Sequence, residues 1–286
     1  MGVNYRMKKL CLFVLILLGS SNYAMNDSLS KSNWLHSGVA GLNISQIALE
    51  NWTQGGDNAI AFTLLGNFGA KYVDSPWTFN NTLKLAFGRT KLGQDEFRTN
   101  DNEFFLESIL SYSFGWAVDP YISNTVRTVI SKGFDYKVVP AVQTSQFFDP
   151  GYITQSIGFI YHKIPNITTR LGFGFHETVT NKFPFYSDDT KTTDKIEKFK
   201  FDTGIESVTE GSFKIDDNVL YNSQLRLFSK FQELDVWDVR WDNILTAQIS
   251  KYFNVNFNVL VIYEKKQSFK TQLKEALQLG ITYTLF

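Results

Sequence analysis

Apolar and polar residues alternate along most of this chain with a period of two, the spacing at which successive side chains of a β-strand point to opposite faces. The pattern is plainest near the C-terminus, where Leu277, Leu279, Ile281, Tyr283 and Leu285 share one parity and Gln278, Gly280, Thr282 and Thr284 the other. Ile60, Phe62, Leu64, Phe68 and Tyr72 form an earlier apolar set, and Trp77, Phe79, Leu83, Leu85 and Phe87 the next. The series continues through Phe104, Leu106, Leu110, Tyr112, Phe114 and Trp116, then Ile157, Phe159 and Tyr161, then Ile167, Leu171, Phe173 and Phe175. Trp237, Val239, Trp241, Leu245, Ala247 and Ile249 precede Phe253, Val255, Phe257, Val259, Val261 and Tyr263, a set interleaved with Asn254, Asn256 and Asn258. Two segments are irregular. Tyr121 to Ser131 has no apolar parity, and Val208 to Phe231 places Leu220 and Phe228 on its nominally polar face. One alternating strand fits a soluble sheet; about a dozen in series predict an all-β fold, a transmembrane antiparallel up-and-down β-barrel of about twelve strands.

The connections give an independent reading, because outer-membrane barrels place short turns on the periplasmic side and longer loops outside. Tight connections are expected at Asp74 to Pro76, Asp119 to Pro120, Ile164 to Pro165, Glu210 to Gly211 and Ser250 to Lys251. Each carries turn-forming or chain-breaking residues or is of minimal length. Longer polar segments fall between them at Asn51 to Asn58, Lys91 to Asp101, Gly133 to Gly151, Asn181 to Glu197, Gln232 to Asp235 and Lys265 to Phe269. Short and long alternate, which predicts an even strand number with both termini on the periplasmic side.

The first residues point to the same compartment. Arg6, Lys8 and Lys9 precede an apolar run from Leu10 to Leu18 and small or polar residues at Gly19, Ser20, Ser21 and Ala24, the make-up of a secretory signal peptide. Cleavage is expected after Ala24, with Ser21 as the alternative site and Met7 as an alternative start. Residues 1–24 are then the signal peptide, 25–33 a polar periplasmic leader and 34–286 the barrel. Cys11, the one cysteine, falls within the apolar run, so the exported chain would have neither disulfide nor thiolate chemistry. Beyond the signal no run of eighteen apolar residues occurs, so any span is made of strands. Lysine plus arginine equal aspartate plus glutamate at 28 each, a neutral balance that argues against nucleic acid as a partner.

Two stretches carry a resemblance. Asn43-Ile44-Ser45-Gln46 followed by Asn51-Trp52-Thr53-Gln54-Gly55-Gly56-Asp57-Asn58 resembles the opening NWxxGG signature of an uncharacterised family of Bacteroidetes-type outer-membrane proteins, and Phe147-Phe148-Asp149-Pro150-Gly151-Tyr152 resembles a second element of it. The likeness extends from about Trp34 to the C-terminus. It implies an outer-membrane barrel, a domain of unknown function, and supplies no activity. At the C-terminus, assembly signals of such barrels usually end on an aromatic in phase with the outward residues; here Tyr283 and Leu285 are in phase and Phe286 falls one step out. Leu285 or Phe286 is expected to serve the barrel insertion machinery.

Candidate chemistry is sparse, and no cluster calls for a cofactor or a catalytic centre. Gly55 and Gly56 beside Trp52 could form an anion-binding nest of backbone N–H groups, but a strand connection with Trp52 at headgroup level accounts for them better. Asp188, Asp189, Asp194 and Glu197 could bind calcium, yet Lys191, Lys195 and Lys198 interleave and the spacing matches no calcium loop. A barrel-borne lipid hydrolase would need a histidine base, and only His36, His162 and His176 exist. His162 and His176 are expected near opposite strand ends and facing inward, and no Gly-x-Ser-x-Gly elbow is present. The remaining candidates are charges of inward parity: Lys84, Arg170, Lys200, Arg226 and Arg240 against Glu107, Asp202, Glu206, Asp238 and Asp242. They fit a narrow passage for small polar solutes with little ion selectivity. They fit equally a plugged barrel packed by polar ladders, whose aromatic loops at Phe183 to Tyr186 and Phe147 to Tyr152 contact another envelope component.

Overall fold

The computed structural model describes residues 33–50, 56–189, 195–265 and 270–286. The expected signal peptide and nearly all of the leader lie outside these residues, as do Asn51, Trp52 and Gly55 of the signature loop and Asp194 and Lys191 of the acidic loop. The described strands are β1 (Trp34–Ile47), β2 (Ala59–Asp74), β3 (Trp77–Leu92), β4 (Arg98–Tyr112), β5 (Asp119–Thr128), β6 (Gly133–Asp135), β7 (Val142–Ser145), β8 (Gly151–Tyr161) and β9 (Ile167–Val179). They continue as β10 (Phe199–Asp216), β11 (Val219–Lys230), β12 (Asp238–Gln248), β13 (Phe253–Tyr263) and β14 (Gln272–Thr284). All except β6 and β7 form one closed antiparallel barrel in chain order, sealed where β1 pairs with β14 from Val39↔Thr284 to Ile44↔Leu279. β6 and β7 make a small separate hairpin inside the β5–β8 connection.

Register turns the period-two pattern into an inside and an outside, since residues paired directly across strands share a face. Leu245, Phe257 and Leu277 are consecutive partners on β12, β13 and β14, as are Ile157, Phe173 and Ile205 on β8, β9 and β10. Phe257, Leu277, Ile157 and Phe173 are solvent-exposed apolar side chains, as a lipid-facing belt requires. At the short-turn rim the belt ends in aromatics: Trp34 beside Tyr72, Trp77 beside Tyr112, Phe114 beside Trp116 and Tyr252 beside Tyr283. Both ends of the sheet, Trp34 and Thr284, lie at this rim. Phe286 corrects for its odd parity: beyond the strand its ring lies over the outward face of Gly38, where an added Cβ would come within 2.8 Å of it.

Two expected turns are displaced. The β10–β11 hairpin turns at Asp217–Asn218, and β10 passes straight through Glu210 and Gly211, which pair with Gln224 and Ser223. A glycine after an acid resembles a turn locally, but inward Glu210 accepts from Gln224 Nε2 at 2.7 Å and belongs to the wall. Asp119 and Pro120 already pair with Ile160 and Phe159, so the β4–β5 connection is the preceding 113–118 segment. The irregular Tyr121–Ser131 stretch contains β5, whose inward face buries Tyr121, Ser123 and Thr125 while Ile122 faces out.

Candidate functional site: the barrel interior

The interior of this barrel is a packed polar core. Among the described residues the buried hydrophobic side chains are Phe105, Tyr121, Val208 and Phe228, all pointing inward, and charged groups surround them. Glu107 on β4 is 4% exposed and accepts from Arg170 on β9 at 2.9 Å and from Arg226 on β11 at 3.0 Å. Arg226 also donates to Glu206 at 2.8 Å, and Arg170 reaches Glu210 at 3.5 Å. The four strands contributing this cluster, β4, β9, β10 and β11, are not all neighbours, so the ion pairs span the bore. Charge-assisted bonds are shorter and stronger than neutral ones, and a buried ion needs them to offset lost hydration.

Phe105 anchors the same layer. Its ring is only 2% exposed, and the charged ends of Lys84, Arg127 and Arg226 lie 5.5, 5.1 and 5.9 Å from its centroid. Cations gather on an aromatic face because the ring quadrupole is negative there. Tyr121 takes Arg170 over its ring at 5.8 Å and bonds Ser156 through its hydroxyl at 3.2 Å. Gly158 and Gly172, paired across β8 and β9, permit this: a Cβ at Gly172 would come within 3.0 Å of the Tyr121 hydroxyl, and one at Gly158 would strike the Leu171 carbonyl.

Towards the short turns the opposite wall carries an uncharged network. Asn43 donates to Gln278 at 2.8 Å, Asn254 to Thr282 at 2.8 Å, Asn256 to Asn254 at 2.6 Å, and Thr246 to Asn256 at 2.9 Å. Gly280 opens room for this network, because a Cβ there would sit 2.6 Å from Asn43 Oδ1 and 2.9 Å from Asn256 Nδ2. The asparagines alternating with the β13 apolar residues are therefore interlocked amides.

Towards the long loops the interior widens into a vestibule. One lobe, a cavity of about 360 Å³, is lined by Tyr152, His176, Lys200, Asp202, Lys230, Asp238 and Glu264, with Arg226 and Glu206 at its floor. A second lobe of about 370 Å³ lies by Asp101, Glu103, Leu260 and Lys274. Arg127 and Arg240 line both lobes, and both pair with Glu103, at 3.3 and 3.1 Å. Asp202 holds Lys200 at 3.0 Å and Lys230 at 2.7 Å, and Arg240 holds Asp242 at 2.9 Å. Just beyond β13, the Glu264 carboxyl is raised from its ordinary value by burial and then by Asp238.

The loops above are pinned together. Asp149 accepts from the backbone N–H groups of Asn181 and Lys182, each at 2.8 Å, joining the β5–β8 and β9–β10 connections. Thr128 Oγ1 donates to the Pro150 carbonyl and accepts from Phe148 N, both at 2.9 Å. The Phe147–Tyr152 motif is thus a structural clasp with Phe147 exposed, and Phe185 of the Pro184–Tyr186 turn is exposed beyond it. Of the acidic loop, Asp188 accepts from Glu197 N and Glu197 from Asp189 N. Gln46 lies near the loop end of β1, and Gly56 follows with φ +116°. His162 lies in the β8–β9 connection, 3.6 Å from Asp119, whereas His176 points into the vestibule and bonds Thr154 at 3.0 Å. His36 stacks on Trp34 at the rim.

The structure brings Glu107, Arg170, Glu206 and Arg226 into one cluster, sets Lys200, Asp202, Asp238, Arg240 and Asp242 in the upper interior, and leaves Lys84 against Phe105. Glu103, Arg127, Lys230 and Glu210 belong to the same networks and escaped the sequence reading. Glu103 and Lys230 share parity with Glu107 and Arg226, which was the available signal. Arg127 was hidden by its irregular strand and Glu210 by its turn-like neighbour.

A closed twelve-stranded antiparallel barrel with an apolar outer belt, aromatic rim and polar interior defines an outer-membrane β-barrel, and the outer membrane is where this protein resides. Residues 44–134 match the family described as "Protein of unknown function (DUF3078)", in keeping with the uncharacterised family that the sequence resembles. No curated protein matches. Among solved structures, similarity is found to an outer membrane channel from Pseudomonas putida F1, at 10% identity over 91% of this chain and 99% of that chain, TM-score 0.42. The translocator domain of autotransporter NalP from Neisseria meningitidis aligns at 9% identity over 97% and 95%, TM-score 0.36. The KdgM porin aligns at 8% identity over 87% and 99%, TM-score 0.33.

Proposed function

We propose that this protein is a narrow outer-membrane passage for small polar solutes, closed at rest by the Glu107–Arg170–Arg226–Glu206 cluster. The observation that carries the reading is the vestibule ending on that cluster: two adjoining mixed-charge cavities on the long-loop side, floored by ion pairs that bridge the bore. Mixed charge suits zwitterionic or neutral polar solutes and gives little ion preference. Passage requires the ion pairs to part, which is feasible because each arginine keeps a second carboxylate partner. A second reading, a plugged barrel that serves envelope contacts, is supported by the burial of Phe105, Tyr121 and Val208 at the same level.

Single-channel recording of refolded protein in planar bilayers separates the two. Wild type is expected to be mostly closed with rare brief steps, and Glu107→Ala to conduct steadily. In that open background Arg240→Glu should move the ion preference towards cations. Silence from folded Glu107→Ala would overturn the passage and leave the plugged barrel.

A further inference from the structure

Four strands interrupt their apolar outer face at the same register. Asn81 pairs with Ser108, Ser108 with Asn124, and Asn124 with Gln155, so one continuous row of polar side chains crosses the lipid-facing side of β3, β4, β5 and β8. The parity is outward, because the adjacent positions Thr82, Glu107, Ser123 and Ser156 belong to the inward set, three of them buried. The missing apolar residues between Phe79 and Leu83, between Leu106 and Leu110 and between Ile122 and Val126 are one feature seen on successive strands.

The row lies within the membrane. Asn81 and Ser108 are four residues from Trp77 and Tyr112 of the aromatic rim, about 14 Å along a strand and about 10 Å along the membrane normal at a tilt of about 40°. Gln155 is six residues from Tyr161, about 15 Å up by the same reckoning, near the middle of an apolar band about 25 Å tall. Polar groups at that depth need partners, since hydrocarbon offers none. Ser108 finds one, donating to Asn81 Oδ1 at 2.7 Å, and Asn81 donates to the Ala70 carbonyl at 3.5 Å. The side-chain amides of Asn124 and Gln155 make no hydrogen bond among the described residues. Elsewhere on the outer face the contrast is clear: Asn243 accepts from Tyr221 at 2.7 Å and Ser223 at 2.9 Å, and Trp241 donates to Ser223 at 2.9 Å, so that group is satisfied within the chain.

We propose that this row is the contact surface of a dimer, and that its occupant is a second copy of this chain in the same membrane. A carboxamide carries both donors and an acceptor, so two identical amides facing each other satisfy one another, which neither lipid nor an apolar partner can do. Two copies inserted in the same sense are related by an axis along the membrane normal, so their oblique rows cross instead of overlaying. The centre of the row is therefore the meeting point, with Asn124 of each copy against Asn124 and Ser108 of the other and Gln155 alongside.

Disulfide crosslinking in native outer membranes tests this in the full chain, whose one cysteine, Cys11, lies in the expected signal peptide. Asn124→Cys should form a covalent dimer on mild oxidation, and Phe257→Cys, outward on the opposite side of the barrel, should not. In detergent, wild type should show a concentration-dependent dimer that Asn124→Leu with Gln155→Leu weakens about tenfold or more, as expected for the loss of polar contacts between membrane segments. Leucine suits the lipid face, so the double variant keeps its folded, heat-modifiable form. No crosslink from Asn124→Cys, equal crosslinking from Phe257→Cys, or an undiminished dimer in the leucine variant would each overturn the proposal.

Discussion

Removing the Glu107 carboxylate is the sharpest test of how the interior is held. Glu107→Ala deletes the acceptor of two charge-assisted bonds, from Arg170 at 2.9 Å and Arg226 at 3.0 Å, at a site 4% exposed. At about 1.5 to 3 kcal/mol for each such bond the loss is about 3 to 6 kcal/mol. Arg226 keeps Glu206 at 2.8 Å and Arg170 keeps Glu210 at 3.5 Å, so neither guanidinium is stranded and the lower end, about 3 kcal/mol, is expected. Equilibrium urea unfolding of the barrel in lipid vesicles, followed by tryptophan fluorescence, measures it. The paired variant Glu107→Met with Arg170→Met should recover most of the loss, because exchanging a buried ion pair for apolar volume is often close to neutral. A single-variant loss under about 1 kcal/mol, the range of an exposed pair, would refute a desolvated cluster closing the bore.

Three further outcomes are expected. Phe257→Arg, on the lipid face and paired with Leu277 six residues from the Tyr283 rim, should cost about 2 to 4 kcal/mol near the midplane, whereas Ile281→Arg, two residues from that rim, should cost only about 0 to 1 kcal/mol, both read as the shift in urea midpoint; an unshifted midpoint for Phe257→Arg would contradict the outward register. Gly280→Val should disrupt the amide wall, since even a Cβ meets Asn43 and Asn254, and should impair folding more than Gly280→Ala, scored by heat-modifiable mobility. Asp149→Ala removes the acceptor for Asn181 and Lys182, which should speed protease cleavage in the β9–β10 loop several-fold and leave the barrel intact; unchanged cleavage would mean the clasp is not held there.

What the sequence determined by itself follows from a local rule. Backbone pleating sends neighbouring side chains to opposite faces, so alternation at Leu277 to Leu285 or Phe253 to Tyr263 reveals strand, lipid face and membrane class without any knowledge of pairing. Inward parity of Lys84, Glu107 or Arg226 is legible for the same reason. Local signals fail where pairing decides: Glu210-Gly211 reads as a turn and is wall, and β5 reads as irregular although Ile122 and Val126 face out. The tertiary structure alone decided which charges meet, because Glu107 and Arg226 are 119 positions apart in sequence yet bonded across the bore. It alone decided that the asparagines of β13 interlock with Asn43 and Gln278, and that Asn81, Ser108, Asn124 and Gln155 form one row. Parity gives direction within a strand, whereas register between strands sets height and neighbour, and register is fixed by closure of the whole sheet.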